Sequence, residues 1–357
     1  MKTSKILYVA STASHLKRFH RPYLEAIREN AHVTTLASGD GVDISLPFDK
    51  RYFSFSNLRT VKRIRCLIRS EKFDLILLHT TLAAFLVRLA LVGMKNRPYV
   101  KNVVHGYLFP ERRGGIRGKI LYFCERILCR YTDEIAVMNE EDLRIATSHK
   151  LCRGKVSFFW GMGLSDDFAK AKTDAVLRQE YASEGELLCS FVGELSARKN
   201  QRLLLDAAAR LRAEGIPVKL LLVGEGSARE ELENQCRSLG LSDAVFLVGN
   251  REPVLPYLAI TDLYVCASRS EGLPFNLLEA MRCGLPIVAS DVKGQNDLLN
   301  ADSLYPVDDL DALCRRIRDV YEGGSFGAGA RVYPNLDRYL LSSVFEENLD
   351  LFLKKHS

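Results

Sequence analysis

The stretch Thr261–Asp297, TDLYVCASRSEGLPFNLLEAMRCGLPIVASDVKGQND, decides the fold. LYVCAS is an apolar run of strand length without polar alternation, as expected where both faces of a parallel sheet are covered. Ser270-Glu271-Gly272-Leu273 reads as a turn. Pro274 fits the first helical position, where its missing N–H costs nothing, and Gly284 fits the position just past the end. Pro286 then resets the chain into PIVAS, a second strand. A helix that starts beside the end of a parallel strand presents N–H groups to a phosphate or diphosphate. Glu271 in the loop and Glu279 on the helix bracket that place, with seven residues between them. A carboxylate there can simply complement the helix dipole. Beside a diphosphate it repels the phosphates, and it makes more sense as an acceptor for sugar or ribose hydroxyls.

Upstream, KILYVAS opens as a buried strand and HLKRFHRPYLEAIREN follows as one helix. The turn Ser11–Ser14 stands where a dinucleotide fingerprint would carry glycines. Without GxGxxG, a nicotinamide enzyme loses its main support. HVTTLAS, DLILLHT, YVKNVVHG and EIAVMN are further strands, and their alternation with helices predicts an α/β, doubly wound parallel sheet. His105 ends the VVHG strand, on the side where ligands meet open α/β sheets, although a lone His is more often structural. The helix from about Gly115 to Tyr131 gathers Ile120, Leu121, Phe123, Cys124, Ile127 and Leu128 on one broad side, near Lys119, Arg126 and Arg130. Core packing and peripheral membrane contact both fit it.

Downstream, FVGELSARKNQRLLLDAAARLR sets a strand, the Gly193 turn, the Arg198-Lys199 pair and a helix in sequence. This is again a phosphate-binding arrangement, weaker alone than a P-loop because only one glycine is present. A salt bridge is the alternative role for that basic pair. VKLLLVGEGSAREELENQC repeats the theme with Gly224-Glu225-Gly226, and AVFLVGNREPV adds a strand before Asn250-Arg251. SLYPVDDLDALCRRIRDVYEGG supplies a last strand and helix, FGAGAR a short loop, and the stretch from about Asn335 to His356 a final helix.

At 357 residues the chain suits two domains of about 150–200 residues. No uncharged apolar run reaches about 18 residues, which predicts no transmembrane helix, and the N-terminal stretch reads as the first strand rather than a signal peptide. Nine cysteines without CxxC or Cys/His ligand spacing predict reduced thiols in cytosol, with Cys189, Cys266 and Cys283 in or beside apolar runs. The net charge of +6 gathers in the first half, in Lys17, Arg18 and Arg21, in Arg59, Lys62, Arg63, Arg65 and Arg69, and in Arg112, Arg113, Arg117 and Lys119. Such a half points to an anionic partner: a membrane surface, a diphosphate lipid or a nucleic acid.

SEGLPFNLLEAMRCGLPIVAS resembles the Glu-x7-Glu region of the retaining glycosyltransferases of family 4, which use the two-domain GT-B fold. The resemblance implies two Rossmann-like domains facing across a cleft: 1–164 for the acceptor, 165–334 for the nucleotide sugar, and 335–357 a helix returning to the first. The boundary rests on VSFFWGMGLSDDF, which is similar to the family's linker. It implies that Glu279 holds the ribose hydroxyls, that Glu271 faces the donor sugar, and that Gly272, Leu273, Pro274, Phe275 and Asn276 form the donor loop. In the family's G-R-L-x-x-x-K run this chain has Glu194 at the Arg position; Lys199 is carried over as the diphosphate contact, with Arg198 a substitute for the absent Arg. Gly193 and Gly224 line the nucleotide side, and Asn250 and Arg251 fall where the family's backbone meets the base. The resemblance further implies that His105 faces the donor sugar and that His15 lies near the acceptor.

VVHGYLFPERRGGIRGKILYFCERILCRYTDEIAVMNEEDLRIA is similar to members that add sugars to polyprenyl-diphosphate-linked intermediates of capsule, exopolysaccharide or protein-glycan assembly. It departs from them at Leu108 and at Pro110-Glu111-Arg112-Arg113. The resemblance therefore implies retaining transfer of a hexose or N-acetylhexosamine from a UDP-sugar to a lipid-linked glycan at the inner membrane face. Fixed cations neutralise the leaving diphosphate, so no metal or other cofactor is expected. A UDP-sugar 2-epimerase on the same fold and a non-catalytic sugar-nucleotide-binding subunit are the alternatives. A nucleic-acid-binding module leaves Glu271 and Glu279 unexplained.

Overall fold

The computed structural model describes residues 4–49, 51, 54–109, 115–166, 174–323, 333 and 335–355. The departure at 110–113 with Arg112 and Arg113, the Arg117 side chain, Phe168 and the charged segment after it to 173, the FGAGAR loop and His356 lie outside the described residues. Two compact units divide the chain: residues 1–163 with 341–357, and residues 164–340.

The first unit carries strands β1 (Ser4–Thr12), β2 (Ala31–Ser38), β3 (Ile44–Ser45), β4 (Leu75–His79), β5 (Tyr99–Val104), β6 (Glu134–Val137) and β7 (Val156–Phe158). Among the described residues they form one sheet in the order β3-β2-β1-β4-β5-β6-β7, with neighbours paired in parallel. Its helices are α1 (Ala13–Phe19), α2 (Arg21–Asn30), α3 (Phe55–Glu71), α4 (Thr81–Leu91), α5 (Ile116–Leu128) and α6 (Glu140–Ser148). The second unit carries β8 (Leu187–Val192), β9 (Val218–Val223), β10 (Val245–Gly249), β11 (Leu263–Cys266), β12 (Ile287–Ser290) and β13 (Leu304–Tyr305), in the sheet order β10-β9-β8-β11-β12-β13. Its helices are α7 (Ala175–Gln179), α8 (Gln201–Ala213), α9 (Arg229–Ser238), α10 (Leu255–Ala259), α11 (Phe275–Arg282) and α12 (Leu310–Tyr321). Central strands such as β4 and β8 are buried at every position, as their uninterrupted apolar runs require.

Both orders reverse once. In the first sheet the reversal falls between β1 and β4, in the second between β8 and β11. At such a point the loops leave the strand ends in opposite directions and open a crevice.

Three expected helices are reshaped by local chemistry. His15–Asn30 is two helices, broken at His20, because Pro22 has no N–H to continue the ladder and takes the opening turn of α2 instead. The helix expected to reach Tyr131 ends at Leu128 and closes with a 3-10 turn over Cys129–Tyr131. The last helix begins at Leu341, after a 3-10 turn at Leu336–Tyr339; this helix, α13 (Leu341–Leu353), belongs to the first unit. There Asn348 donates to the Tyr23 hydroxyl at 2.9 Å and to the Gly161 carbonyl at 2.8 Å, and Phe352 is fully buried.

The broad apolar side of α5 is split. Leu121 and Leu128 are buried, whereas Ile116 is 80%, Ile120 47%, Phe123 62% and Ile127 43% exposed. Underneath, the fully buried Arg88 of α4 forks onto Glu125 of α5 at 2.5 and 2.7 Å, which fixes which face α5 turns inward.

Candidate active site

The second unit's crevice is built by the loop after β8 and the loop after β11. Lys199 and Glu271 are buried, and the Lys199 Nζ donates to Glu271 Oε1 at 2.6 Å. Arg198 Nη1 donates to Glu271 Oε2 at 3.0 Å and to the Ser270 carbonyl at 2.8 Å. A backbone bond from Arg269 N–H to the Arg198 carbonyl, 2.9 Å, stitches the loops together. Burial alone would push the Glu271 carboxyl up; Lys199 and then Arg198 outweigh it and hold the group below its ordinary range. The ion pairing weighed as an alternative for Arg198 and Lys199 is therefore present, and it joins them to the carboxylate that the Glu-x7-Glu region supplied. Glu194, at the position of the family's Arg, is exposed.

Pro274 caps the helix rather than opening it: α11 starts at Phe275, and Pro274 is extended at φ −79°, ψ 94°. Leu273 and Pro274 are buried and Gly272, Phe275 and Glu279 half-buried. The Asn276 side chain donates to the Val192 carbonyl at 2.7 Å and to the Tyr264 hydroxyl at 2.8 Å, locking α11 onto the end of β8 and onto a side chain of β11. Burial pushes up both the Tyr264 hydroxyl and the Cys283 thiol; the Glu279 charge adds to each, for Tyr264 behind the neighbouring Cys266.

The glycines are explained by close backbone approach. A Cβ on Gly224 would lie 2.0 Å from the Gly193 carbonyl oxygen, and one on Gly226 2.1 Å from that of Leu195. Gly193 N–H donates to the Val223 carbonyl and Gly224 N–H to the Gly249 carbonyl, both at 2.9 Å. The loops after β8, β9 and β10 are thus drawn into one layer beside the Lys199 turn. Asn250 and Arg251 follow β10 directly and are exposed.

The first unit's crevice holds four histidines. His15 lies on α1, His20 at the α1–α2 corner, His79 at the end of β4 and His105 just after β5. Ring centroids are 5.0 Å apart for His15 and His105, 4.9 Å for His15 and His20, and 4.3 Å for His20 and His79. His79 Nδ1 stands 3.2 Å from His105 Nε2, and the Tyr8 hydroxyl 2.8 Å from His20 Nδ1. Ser11 and Thr80, one from each side of the reversal, meet hydroxyl to hydroxyl at 2.6 Å. Burial, followed in three of the rings by neighbouring histidine charge, lowers all four values: His15 to about 4, the others well below the ordinary imidazole value. All four rings are neutral at pH 7.

Sequence reasoning had His15 and His105 but missed His20 and His79. The signal was present, since His79 ends LILLH as His105 ends VVH, at the ligand-facing end of a parallel strand.

Residues 174–330 match the family described as Glycosyl transferases group 1. The chain is 26% identical over 334 residues to the putative glycosyltransferase EpsD of Bacillus subtilis, covering 89% of this chain and 88% of that one. It is 25% identical over 256 residues to the UDP-Gal:alpha-D-GlcNAc-diphosphoundecaprenol alpha-1,3-galactosyltransferase of Escherichia coli, covering 69% and 66%. Among solved structures, Anabaena Alr3699/HepE in complex with UDP and glucose aligns with a TM-score of 0.73 at 20% identity, covering 98% of this chain and 99% of that one.

Proposed function

We propose that this chain, which has the GT-B fold and matches the group 1 glycosyl transferases over residues 174–330, is a glycosyltransferase that moves a hexose or N-acetylhexosamine from a UDP-sugar to a polyprenyl-diphosphate-linked glycan with retention of the anomeric configuration. One observation carries the reading: two cations and a buried carboxylate meet at the second sheet's reversal, at 2.6 and 3.0 Å. Open α/β sheets bind nucleotides at that place.

In this reading Lys199 and Arg198 take the charge that grows on the departing diphosphate, helped by N–H groups after Gly272. Glu271, fixed between them, accepts from the donor sugar's hydroxyls, and Glu279 from the ribose. Gly193 and Gly224 let the backbone approach the nucleotide, and Asn250 and Arg251 border the base. The bond from the anomeric carbon to the diphosphate oxygen breaks. The acceptor hydroxyl oxygen bonds that carbon on the same face, and its proton passes to the departing phosphate oxygen. Cations already in place make a metal unnecessary for this step.

Likeness to the Escherichia coli enzyme, whose acceptor is a diphosphoundecaprenol-linked sugar, supports the lipid-linked acceptor. So does the exposed stripe of α5, Ile116, Ile120, Phe123 and Ile127, flanked by exposed Lys119, Arg126 and Arg130. On α3, which packs with α5 against α4, Phe55 is 85% and Leu58 51% exposed, beside exposed Arg59, Lys62 and Arg63. Apolar side chains among cations favour an anionic membrane surface. No helix among the described residues is long and apolar enough to cross a membrane.

The test is thermal unfolding with UDP, GDP, ADP and a panel of UDP-sugars, with Glu279→Ala alongside. A ligand at about 100 times its dissociation constant stabilises by about 2.7 kcal/mol. A UDP-selective shift lost in Glu279→Ala is expected, and the absence of any nucleotide shift would remove the donor assignment. Turnover with a lipid-linked acceptor then reports the product anomer, and an inverted product would sink the same-face step.

A further inference from the structure

We propose that the histidine cluster of the first unit is a binding site for one divalent ion of the zinc class, held by His15, His20 and His105. One ring nitrogen of each lies within 4.8 Å of the other two. Tetrahedral zinc with bonds of about 2.0–2.1 Å needs nitrogens about 3.4 Å apart, so a closure of at most about 1.4 Å completes the geometry. Each ligand comes from a different place in the chain: the first turn of α1, the α1–α2 corner and the residue after β5. The ion would pin all three to one another.

Independent observations point to the ion. Nε2 of His15 and Nε2 of His20 are buried and have no hydrogen-bond partner among the described residues, and His20 is 0% exposed. Buried polar atoms are rarely left so. The other nitrogen of His20 faces the Tyr8 hydroxyl at 2.8 Å. An Nδ1–H donating to that oxygen leaves Nε2 as a lone pair, the arrangement a metal-bound histidine shows. His79 Nδ1 likewise holds the His105 ring by one nitrogen, at 3.2 Å. Three imidazoles without a carboxylate suit zinc, copper or nickel rather than magnesium or calcium. With three protein ligands, the fourth position is left to water.

The experiment uses the full chain without an affinity tag, stripped with chelator. Calorimetric titration with zinc chloride measures stoichiometry and affinity, and cobalt(II) chloride reports the ligands through its visible spectrum. One ion per chain is expected, with tetrahedral cobalt bands and no thiolate charge-transfer absorption. His15→Ala abolishes binding, and Tyr8→Phe, which keeps the ring and removes the supporting hydroxyl, weakens it about 10–100-fold. Absence of stoichiometric binding would overturn the proposal. So would thiolate absorption, which hands the ion to the chain's nine cysteines, or binding unmoved in both variants. The proposal stands apart from the transfer reading: zinc binding is read without nucleotide, and UDP binding without zinc.

Discussion

Glu271→Gln separates the two jobs given to this carboxylate. The substitution keeps the shape and removes the charge between Lys199 and Arg198. The Lys199 side chain is 9% exposed and that of Glu271 7%, so the ammonium is left buried without its counter-ion. One-sided loss of a buried pair costs about 3–5 kcal/mol; the Gln oxygen still accepts from Nζ, which puts the expected cost near the lower figure, about 3 kcal/mol. The Arg198 side chain is 42% exposed and solvent-screened, and it adds little. For a unit of this size each kcal/mol moves the midpoint by about 2–4 °C, giving a drop of about 6–12 °C at pH 7. The sign with pH follows from the lowered Glu271 value: its contribution is full above the ordinary 4.5 and is lost as pH falls through the folded value. The two proteins therefore converge in acid. UDP supplies the missing negative charge, so its affinity holds or rises in the variant, while turnover falls about 10²-fold because the sugar is no longer positioned. Thermal unfolding with and without UDP, followed by turnover assays, reads all three quantities. A loss below about 1 kcal/mol together with weakened UDP binding would refute the reasoning.

Gly224→Ala sets a Cβ 2.0 Å from the Gly193 carbonyl at φ +143°, and is expected to cost about 2–5 kcal/mol and to abolish the UDP shift. With chelator present, acid unfolding should begin well above the carboxylate range. The His15 contribution is full above pH 6.5 and lost as pH falls toward its folded value of about 4, which removes about 2 kcal/mol between pH 7.5 and 5 as read in urea titrations. Glu125→Ala strands the fully buried Arg88 and should cost about 3–5 kcal/mol, whereas Arg88→Met with Glu125→Leu should come close to neutral in the same assay. Ile120→Ser with Phe123→Ser should lower sedimentation with anionic vesicles while leaving the unfolding midpoint within about 1 °C, because both side chains are exposed.

Much of this protein was legible from the chain alone, wherever the physics is local. Strand and helix alternate as their apolar periods dictate, and Gly272–Pro274 separates β11 from α11 by its own backbone limits. Pro22 breaks the first helix through chemistry the sequence already contains, although the periodic pattern overrode it in the reading. The Glu271 and Glu279 spacing survived as a loop acid and a helix acid because eight positions of chain carry it.

Tertiary structure decided what depends on which strands are neighbours. Lys199 and Glu271 are 72 residues apart, and only the β8–β11 adjacency turns a phosphate-type loop and an acid loop into one buried pair. His20 and His79 escaped notice for the same reason: nothing near either in the chain says that β1 and β4 lie side by side. The apolar side of α5 was read as one surface, and only the Arg88–Glu125 fork, 37 residues apart, settles that Leu121 turns inward while Phe123 faces solvent. Periodicity assigns a side chain to a face of its own element; which face finds a neighbour is set by the order of the strands, and that order is a property of the whole sheet.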